Sequence, residues 1–408
     1  MTGNSRDLET DILIAGGGII GLTQAIALGR SGFTVMIVDP APPETSLAPE
    51  FDGRASALAY TSCNLLEALG VWPALAANAE PIREIRVSDG DTPLFLHFDH
   101  HDVGNEALGH MVENRHLRHA LDKVARSMKR LTPSAPNHIT SVERTDAGVT
   151  ARLDDGRTVR ARLLIGAEGR RSPSREEAGI RTFERAYGQC GIVTTVTHER
   201  PHQGIAHERF LPSGPFAILP LRDNRSSIVW TERTALVPAI MNLSTEAFDA
   251  ELAKRFGGFL GAVHATGPRW QYPLSLQVCD RFIDKRLALV GDAAHGIHPI
   301  AGQGANLGIK DVAALTETLV NAARVGEDIG SETVLARYQR WRRVDTVTLS
   351  VVTDALNHLF SNDIAPIRWA RDIGLGAVNR MPPLKRFFMN HARGTVGHLP
   401  RLLTGETP

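Results

Sequence analysis

Residues 11–39 restrict the fold more than any other stretch. Asp11-Ile-Leu-Ile-Ala15 is an apolar run of buried-strand length, and Gly16-Gly17-Gly18-Ile19-Ile20-Gly21 follows it directly. Leu22 to Arg30 then reads as an amphipathic helix stopped by Gly32. Thr34-Val-Met-Ile-Val38 reads as a second strand and ends in Asp39. A lone G-x-G-x-x-G carries little weight. Between a strand and a helix, with an acid about 20 residues on at the end of the next strand, it specifies a βαβ unit that holds a dinucleotide. Gly16 then makes the tight turn, Gly18 admits a pyrophosphate to the backbone, and Gly21 lets helix and strand pack. The helix start offers unpaired N–H groups to the phosphates, and Asp39 takes ribose hydroxyls. Placement at the extreme N-terminus favours a tightly held dinucleotide such as FAD, although the pattern alone does not separate FAD from NAD.

A second stretch completes the demand. Leu287 to Val290 is another short buried-strand run, with Gly291-Asp292 at its carboxyl end. A loop with Pro299, Gly302, Gln303 and Gly304 follows, and a helix opens near Asn306. Small residues let backbone approach a flat ligand closely. A helix start aimed at that ligand suits one that becomes anionic during turnover, as a reduced flavin does. The Asp292 carboxylate is placed to hold polyol hydroxyls.

Between the two, Leu163-Leu-Ile-Gly166 returns to the first sheet, and Ala167-Glu168-Gly169-Arg170-Arg171-Ser172-Pro173-Ser174-Arg175 follows. Its charges suit either a phosphate-lined mouth or a solvated loop. Arg54, in Arg54-Ala-Ser-Ala-Leu58, either neutralises phosphate or sits in solvent. Met111-Val-Glu-Asn-Arg-His-Leu117 opens a helix running to about Met128, with Asn114 and Arg115 at its start, where polar side chains can face a ligand.

From about residue 181 to 278 the pattern changes. Gly191–Val196, His207–Leu211, Phe216–Leu221 and Ser226–Trp230 read as successive strands with turns between them, and so as a sheet domain. Ile85–Ser88 and Leu94–Phe98 alternate in the same way. Residues 1–84, 104–180 and 280–345 are therefore expected to form a discontinuous α/β dinucleotide-binding domain. Residues 85–103 and 181–279 form an inserted β-sheet substrate domain, and 346–408 a C-terminal helical region. The cleft between lobes is the expected ligand site. His97, His100 and His101 cluster with Asp99 and Asp102, but no further ligand set with metal spacing joins them, so a solvated hairpin end explains them without a metal.

Lys+Arg and Asp+Glu both number 45, a balance that argues against a nucleic-acid binder. Cys63, Cys190 and Cys279 are few and scattered, which favours a reducing, cytoplasmic setting. The polar start, Met1 to Glu9, has no signal core, and no apolar run reaches spanning length. The tail from Ile364 is basic, with Arg368, Arg371, Arg380, Lys385, Arg386, Arg393 and Arg401 interleaved with Trp369, Ile373, Leu375, Leu384, Phe387, Phe388 and Met389. It fits a helix lying on an anionic inner-membrane surface or partner, and equally a terminal layer packed on the core.

Gly16–Gly21, Gly166–Arg175 and Gly291–Asn306 together resemble the class A FAD-dependent aromatic monooxygenases. Within that class, Arg54–Leu58, Glu113-Asn-Arg115 and the long His298–Asp311 stretch resemble the ubiquinone-biosynthesis hydroxylases, as does Met381-Pro-Pro-Leu-Lys385. The resemblance implies the para-hydroxybenzoate-hydroxylase-like fold, a bound FAD, NADPH or NADH as transient reductant, and hydroxylation of a polyprenylated phenol by O2. By motif, Gly16, Gly18, Gly21 and Asp39 would hold pyrophosphate and ribose. Arg54 and Arg115 would touch the flavin's linker, and Asp292 the ribityl chain. Pro299, Gly302, Gln303, Gly304 and Asn306 would line the isoalloxazine. Glu168-Gly169 departs from the family's usual Asp-Gly; a Glu carboxylate cannot occupy the Asp position without the loop shifting, which bears on the reductant's role. The tail's Arg393 before Gly394 departs too. His295 and His298 flank the loop, as phenol-deprotonating or structural residues, and no catalytic base is nominated. The rival readings are a halogenase or prenyl-lipid reductase on the same scaffold, and a non-catalytic flavin-binding subunit of a quinone-biosynthesis assembly. A halogenase would carry a tryptophan motif near Ile180, which is absent.

Overall fold

A computed structural model describes residues 7–48, 50–90, 95–297, 302–360 and 381–407. His298, Pro299 and the tail stretch containing Arg368, Trp369, Arg371, Ile373, Leu375 and Arg380 lie outside the described residues.

The first apolar run forms the strand Ile12–Ala15 in the middle of a six-stranded sheet. Val35–Val38 and Leu131–Ser134 extend it on one side, Leu163–Gly166, Leu287–Leu289 and Ile283–Asp284 on the other. All are parallel except the last, which runs antiparallel to its neighbour. The four central strands are buried on both faces, as continuous apolar runs in parallel sheets must be. Ala15 pairs with Val38 and with Gly166, and Gly166 with Leu289. That register brings the three glycine-rich segments to one level, at one carboxyl edge.

The helix Ile19–Arg30 packs against Asn114–Ser127 and Gln303–Arg324. Residues Thr23 to Gly29 are all buried, so the helix is apolar nearly all round rather than on one stripe. A four-stranded sheet, Asp7–Glu9, Thr158–Ala161, Val149–Leu153 and Ile139–Arg144, adds Val149, Ala151, Leu153 and Val159 to the same core.

The second large sheet has nine strands. Its main path runs His295–Gly296, Trp270–Cys279, Thr182–His198, Arg225–Arg233, Gly214–Leu221, Ile205–Leu211, Glu84–Asp89 and Phe95–Asp99. The helix Thr245–Phe256 seals one face through Phe248, Leu252 and Phe256, which pack with Trp230 and Phe216. The strand Thr182–His198 is 17 residues long, far more than alternation in the sequence suggests, because its exposed first half is held by backbone pairing to Trp270–Cys279. A small three-stranded sheet, Ala55–Ala59, Gly109–Glu113 and Ala79–Ile82, bridges the lobes. Here Ala55–Ala59 is a strand that runs directly into the helix Tyr60–Ala68, and the expected helix start at Met111 is a strand end, with the helix beginning at Asn114. Glu332–Phe360 is a single continuous helix.

In the tail, Pro382–Arg393 is a helix, but two of its bases turn inward. Lys385 Nζ lies 2.6 Å from Asp102, and the buried Arg393 stacks on Tyr60 and donates to Val103 O. Arg386, Phe387 and Phe388 remain outside. Among the described residues no helix is long and apolar enough to cross a membrane.

Candidate active site

The carboxyl edge of the six-stranded sheet forms the floor of one large cavity, of about 1660 Å³, whose opposite wall is the nine-stranded sheet. That exceeds the roughly 300–1000 Å³ of a site for one drug-sized ligand. It has room for an elongated cofactor and a second ring.

On the floor, Gly16 has φ +101°, and a Cβ there would stand 2.5 Å from Ala167 O. A Cβ on Gly21 would strike Gly16 O at 1.9 Å. Both glycines are therefore required by the fold itself. Gly18 differs: nothing lies within 4 Å of where its Cβ would be. It is the N-cap of the first helix, with no side-chain cap and no acid in the first turn. Open space before unsatisfied helix N–H groups is what a pyrophosphate requires. Asp39 accepts the Gly17 and Ala41 N–H groups at 2.6 and 2.8 Å, one on each oxygen, which aims its remaining lone pairs at the cavity it lines.

Gln303–Arg324 repeats the device. Gly302 is its N-cap at φ +63°, again without a side-chain cap or first-turn acid, and the space beside Gly304 is open. Gly302, Gln303, Gly304 and Asn306 all line the cavity. Asn306 does so with its amide already committed. It accepts from Ala59 N and Ser62 Oγ, and donates to Ala57 O and Gly302 O, so it clamps the bridging sheet to the helix start. Asp292 is half exposed, with Arg170 3.8 Å away, and its carboxylate faces the cavity.

The expected arginine pair is resolved unequally. Arg54 lines the cavity and forks onto Asp52, Nε to Oδ1 at 2.8 Å and Nη2 to Oδ2 at 2.9 Å, with its guanidinium 4.8 Å over the Tyr272 ring. Arg115 does not reach the cavity lining; its guanidinium turns to Glu113 at 3.0 Å. Asn114 and Arg118, one turn apart on the same helix face, line the cavity instead and both donate to Asp52. Burial pushes the Asp52 carboxyl up, but Arg54 and Asn114 outweigh it and hold the group well below the usual carboxylate range. Neither Asp52 nor Arg118 stood out in the sequence. The signal that was there is the i, i+4 spacing of Asn114 and Arg118.

Glu168 turns into its own loop, where it accepts from Ser172 Oγ, Ser174 Oγ and Ser174 N. The extra methylene thus reaches two serines of the next helical turn. Gly169, beside it, has φ +78°, and both residues line the cavity with Arg170 and Arg171. Arg175 is buried and spends itself on Ala293 O and Arg170 O.

Behind the floor lies a cluster that motif reading missed. Asp311, wholly buried, accepts from Arg342 Nε at 2.8 Å, His295 Nε2 at 2.6 Å and Gly291 N at 3.0 Å. Burial raises the carboxyl, but His295 and Arg342 together keep it below its ordinary value. This cluster pins the turn carrying Asp292, and it gives His295 the structural role.

The chain matches the model of the FAD binding domain family over residues 9–349, and it belongs to that family of flavin-dependent monooxygenases. Within it, the chain belongs to the ubiquinone-biosynthesis hydroxylases. It is 52% identical over 404 residues to ubiquinone hydroxylase UbiL of Rhodospirillum rubrum, covering 98% of this chain and 94% of that one. It is 37% identical over 389 residues to 3-demethoxyubiquinol 3-hydroxylase of Escherichia coli, covering 94% and 98%. In solved structures the fold recurs in p-nitrophenol 4-monooxygenase PnpA from Pseudomonas putida DLL-E4, with TM-score 0.80, 18% identity, and coverage of 96% and 100%. It recurs in PqsL, a probable FAD-dependent monooxygenase from Pseudomonas aeruginosa, with TM-score 0.77, 25% identity, and coverage of 90% and 100%.

Proposed function

We propose that this protein hydroxylates the aromatic ring of a polyprenylated phenol during ubiquinone biosynthesis, using FAD, O2 and NADPH or NADH. One observation carries the reading: three glycine-rich strand ends share a cavity with a mostly apolar sheet wall. The relatives' names support the ubiquinone precursor as substrate class.

In this reading residues 1–84, 104–180 and 280–345 hold FAD, 85–103 and 181–279 cover the substrate, and 346–408 form the helical region. Gly16, Gly18 and Gly21 shape the pyrophosphate cradle, and Asp39 binds the adenosine ribose. Arg54, held rigid by Asp52, faces the linker together with Arg118. Asp292 takes the ribityl hydroxyls. Gly302, Gln303, Gly304 and Asn306 lie along the ring system, and Glu168-Gly169 shape the loop beside it. Bound FAD supplies the electron transfer and oxygen insertion. The chain positions the ring, excludes water through the aliphatic wall, and favours negative charge at the start of the helix Gln303–Arg324.

The substrate's polyprenyl tail needs an apolar exit. Leu359 and Phe388 both line the cavity and are exposed, so they form part of its rim. We place an anionic membrane surface against that rim, with the exposed Arg386 beside Phe387 and Phe388 facing the headgroups.

The test is reconstitution with FAD, NADPH or NADH, O2 and a prenylated phenol, followed by mass spectrometry. A product heavier by one oxygen, formed with nicotinamide oxidation, is expected. Protein that stays colourless with FAD, or that oxidises the nicotinamide only to make peroxide, overturns the reading.

A further inference from the structure

The cavity's sheet wall contains one carboxyl group that the reading above leaves unused. Glu208 lies mid-strand in Ile205–Leu211 and lines the cavity. Its neighbours follow from the register. Val87 is paired with it on one side and Ala217 on the other; beyond Ala217 come Val229 and then Val193. Registered residues in a sheet share a face, with Cβ atoms about 4.5–5.5 Å apart. All four line the cavity, as do Ala206 and Phe210, two residues away on its own strand. Its cross-strand partners and its same-face neighbours on its own strand are thus aliphatic or aromatic, and the nearest acid on the adjoining strand, Asp89, sits opposite Phe210. Glu208 makes no hydrogen bond or ion pair with a described residue.

The charged and titratable residues of the adjoining strands are otherwise engaged. Arg86 pairs with Glu84, Arg209 donates to Arg255 O, and His207 packs on Phe259. None of them shifts the Glu208 carboxyl. Burial alone pushes it up to about 8, so at neutral pH it keeps its proton and presents both a donor and an acceptor. A polar group left unpaired in apolar surroundings is costly to folding unless something entering the cavity satisfies it. Keeping one there against an aliphatic wall fits a ligand with a single polar substituent on an otherwise apolar ring.

We propose that Glu208 receives the oxygen substituent of the aromatic ring and thereby sets which ring carbon is turned towards the cofactor. This rests on the substrate class proposed above. Ala217, the smaller of its two cross-strand partners, leaves room beside the carboxyl for that oxygen, while the valines guide the ring edge. Glu208 is in this sense a specificity-determining residue.

The experiment compares wild type, Glu208→Gln and Glu208→Leu, each as FAD-loaded full chain, with a short-chain prenylphenol as probe. Binding is read from the flavin absorbance change and regiochemistry from the hydroxylated product. Glu208→Leu should bind FAD normally, bind the phenol roughly tenfold more weakly, the worth of one buried hydrogen bond, and give mixed products or uncoupled peroxide. Glu208→Gln, which keeps a donor and an acceptor, should restore most of the affinity and the single product. Wild-type affinity and regiochemistry in Glu208→Leu would overturn the proposal while leaving the hydroxylase reading intact. If wild type makes no hydroxylated product, that reading fails, and the binding comparison alone still decides whether Glu208 holds the phenol.

Discussion

At the scale of single residues, the three glycines of the first turn have separable duties. Gly21 has no room for a methyl group, because Gly16 O already occupies that space, whereas Gly18 faces open cavity. Gly21→Ala should therefore cost about 1–3 kcal/mol of apoprotein stability from overpacking against backbone. Gly18→Ala, at an N-cap whose φ of −70° suits any residue, should cost less than about 1 kcal/mol and instead abolish retention of FAD. Thermal melts of apoprotein and the flavin content of purified protein separate the two; a stable, flavin-loaded Gly18→Ala would contradict the cradle. Two acids, Asp52 behind Arg54 and Glu208 on the cavity wall, respond to pH with opposite sign. Asp52 is held below its unfolded value, so its stabilisation is present at neutral pH and is lost only as pH falls below about 4. Asp52→Ala should be roughly 3–5 kcal/mol less stable at pH 7, since it leaves Arg54 and Arg118 without their partner, and the gap should close in acid. Glu208 is held above its usual value, so the folded state loses stability as pH rises from about 5 to about 8. Glu208→Gln should then melt above wild type, by a margin that grows across that interval. Denaturant titrations at pH 3, 5, 6.5 and 8 test both, and a constant offset for Glu208→Gln would refute the raised carboxyl of Glu208. The glycines, Asp39 and Asp292 were legible in the chain because backbone conformation and strand ends leave short-range marks. Asp52, Arg118 and Glu208 were not, since Arg118 reaches Asp52 across 66 residues and the strands flanking Glu208 come from separate parts of the chain.

At the scale of elements, the helix Gln303–Arg324 does two things with one surface. Its open start faces the cavity, and its first turns carry Asn306 and Asp311, which anchor other segments to it. Motif reading located this helix and assigned Asn306 to the cofactor. What it could not show is that the amide has no hydrogen-bonding capacity left over, because Ala57, Ala59 and Ser62 lie about 250 residues earlier. Asn306→Ala should consequently weaken the fold before it weakens flavin contact. Leaving the buried Ala59 N–H and its companions unpaired costs about 1–3 kcal/mol for each group. Calorimetry of the apoprotein should register the loss, and an unaltered apoprotein with poor FAD binding would return Asn306 to direct contact with the cofactor. Strand lengths show the same division. Val35–Val38 was visible as an apolar run, while the exposed half of Thr182–His198 is set by pairing with Trp270–Cys279 and has no periodicity to read.

At the scale of the whole molecule, the sheets form two walls, and the third boundary of the cavity decides how substrate enters. Phe387 and Phe388 are 52% and 40% exposed, and Val344, Val347 and Val351 are exposed along the neighbouring long helix. Residues 344, 347 and 351 recur at helical spacing, so they form a single apolar stripe. A polyprenyl chain leaving the cavity past Leu359 and Phe388 would otherwise meet water, at a cost of about 0.8 kcal/mol per CH2 group. The basic tail offers less charge than its composition implied, because Lys385 and Arg393 are tied to Asp102 and Val103. Attachment should accordingly depend more on Phe387 and Phe388 than on Lys385. In sedimentation with vesicles containing anionic lipid, Phe387→Ser with Phe388→Ser should release the protein, while moderate salt should weaken binding only partly. Turnover of a short-chain water-soluble phenol should stay near wild type in the double variant, and turnover of a long-chain substrate in vesicles should fall. Full vesicle binding by that variant, or complete release by salt alone, would move the docking surface away from this rim.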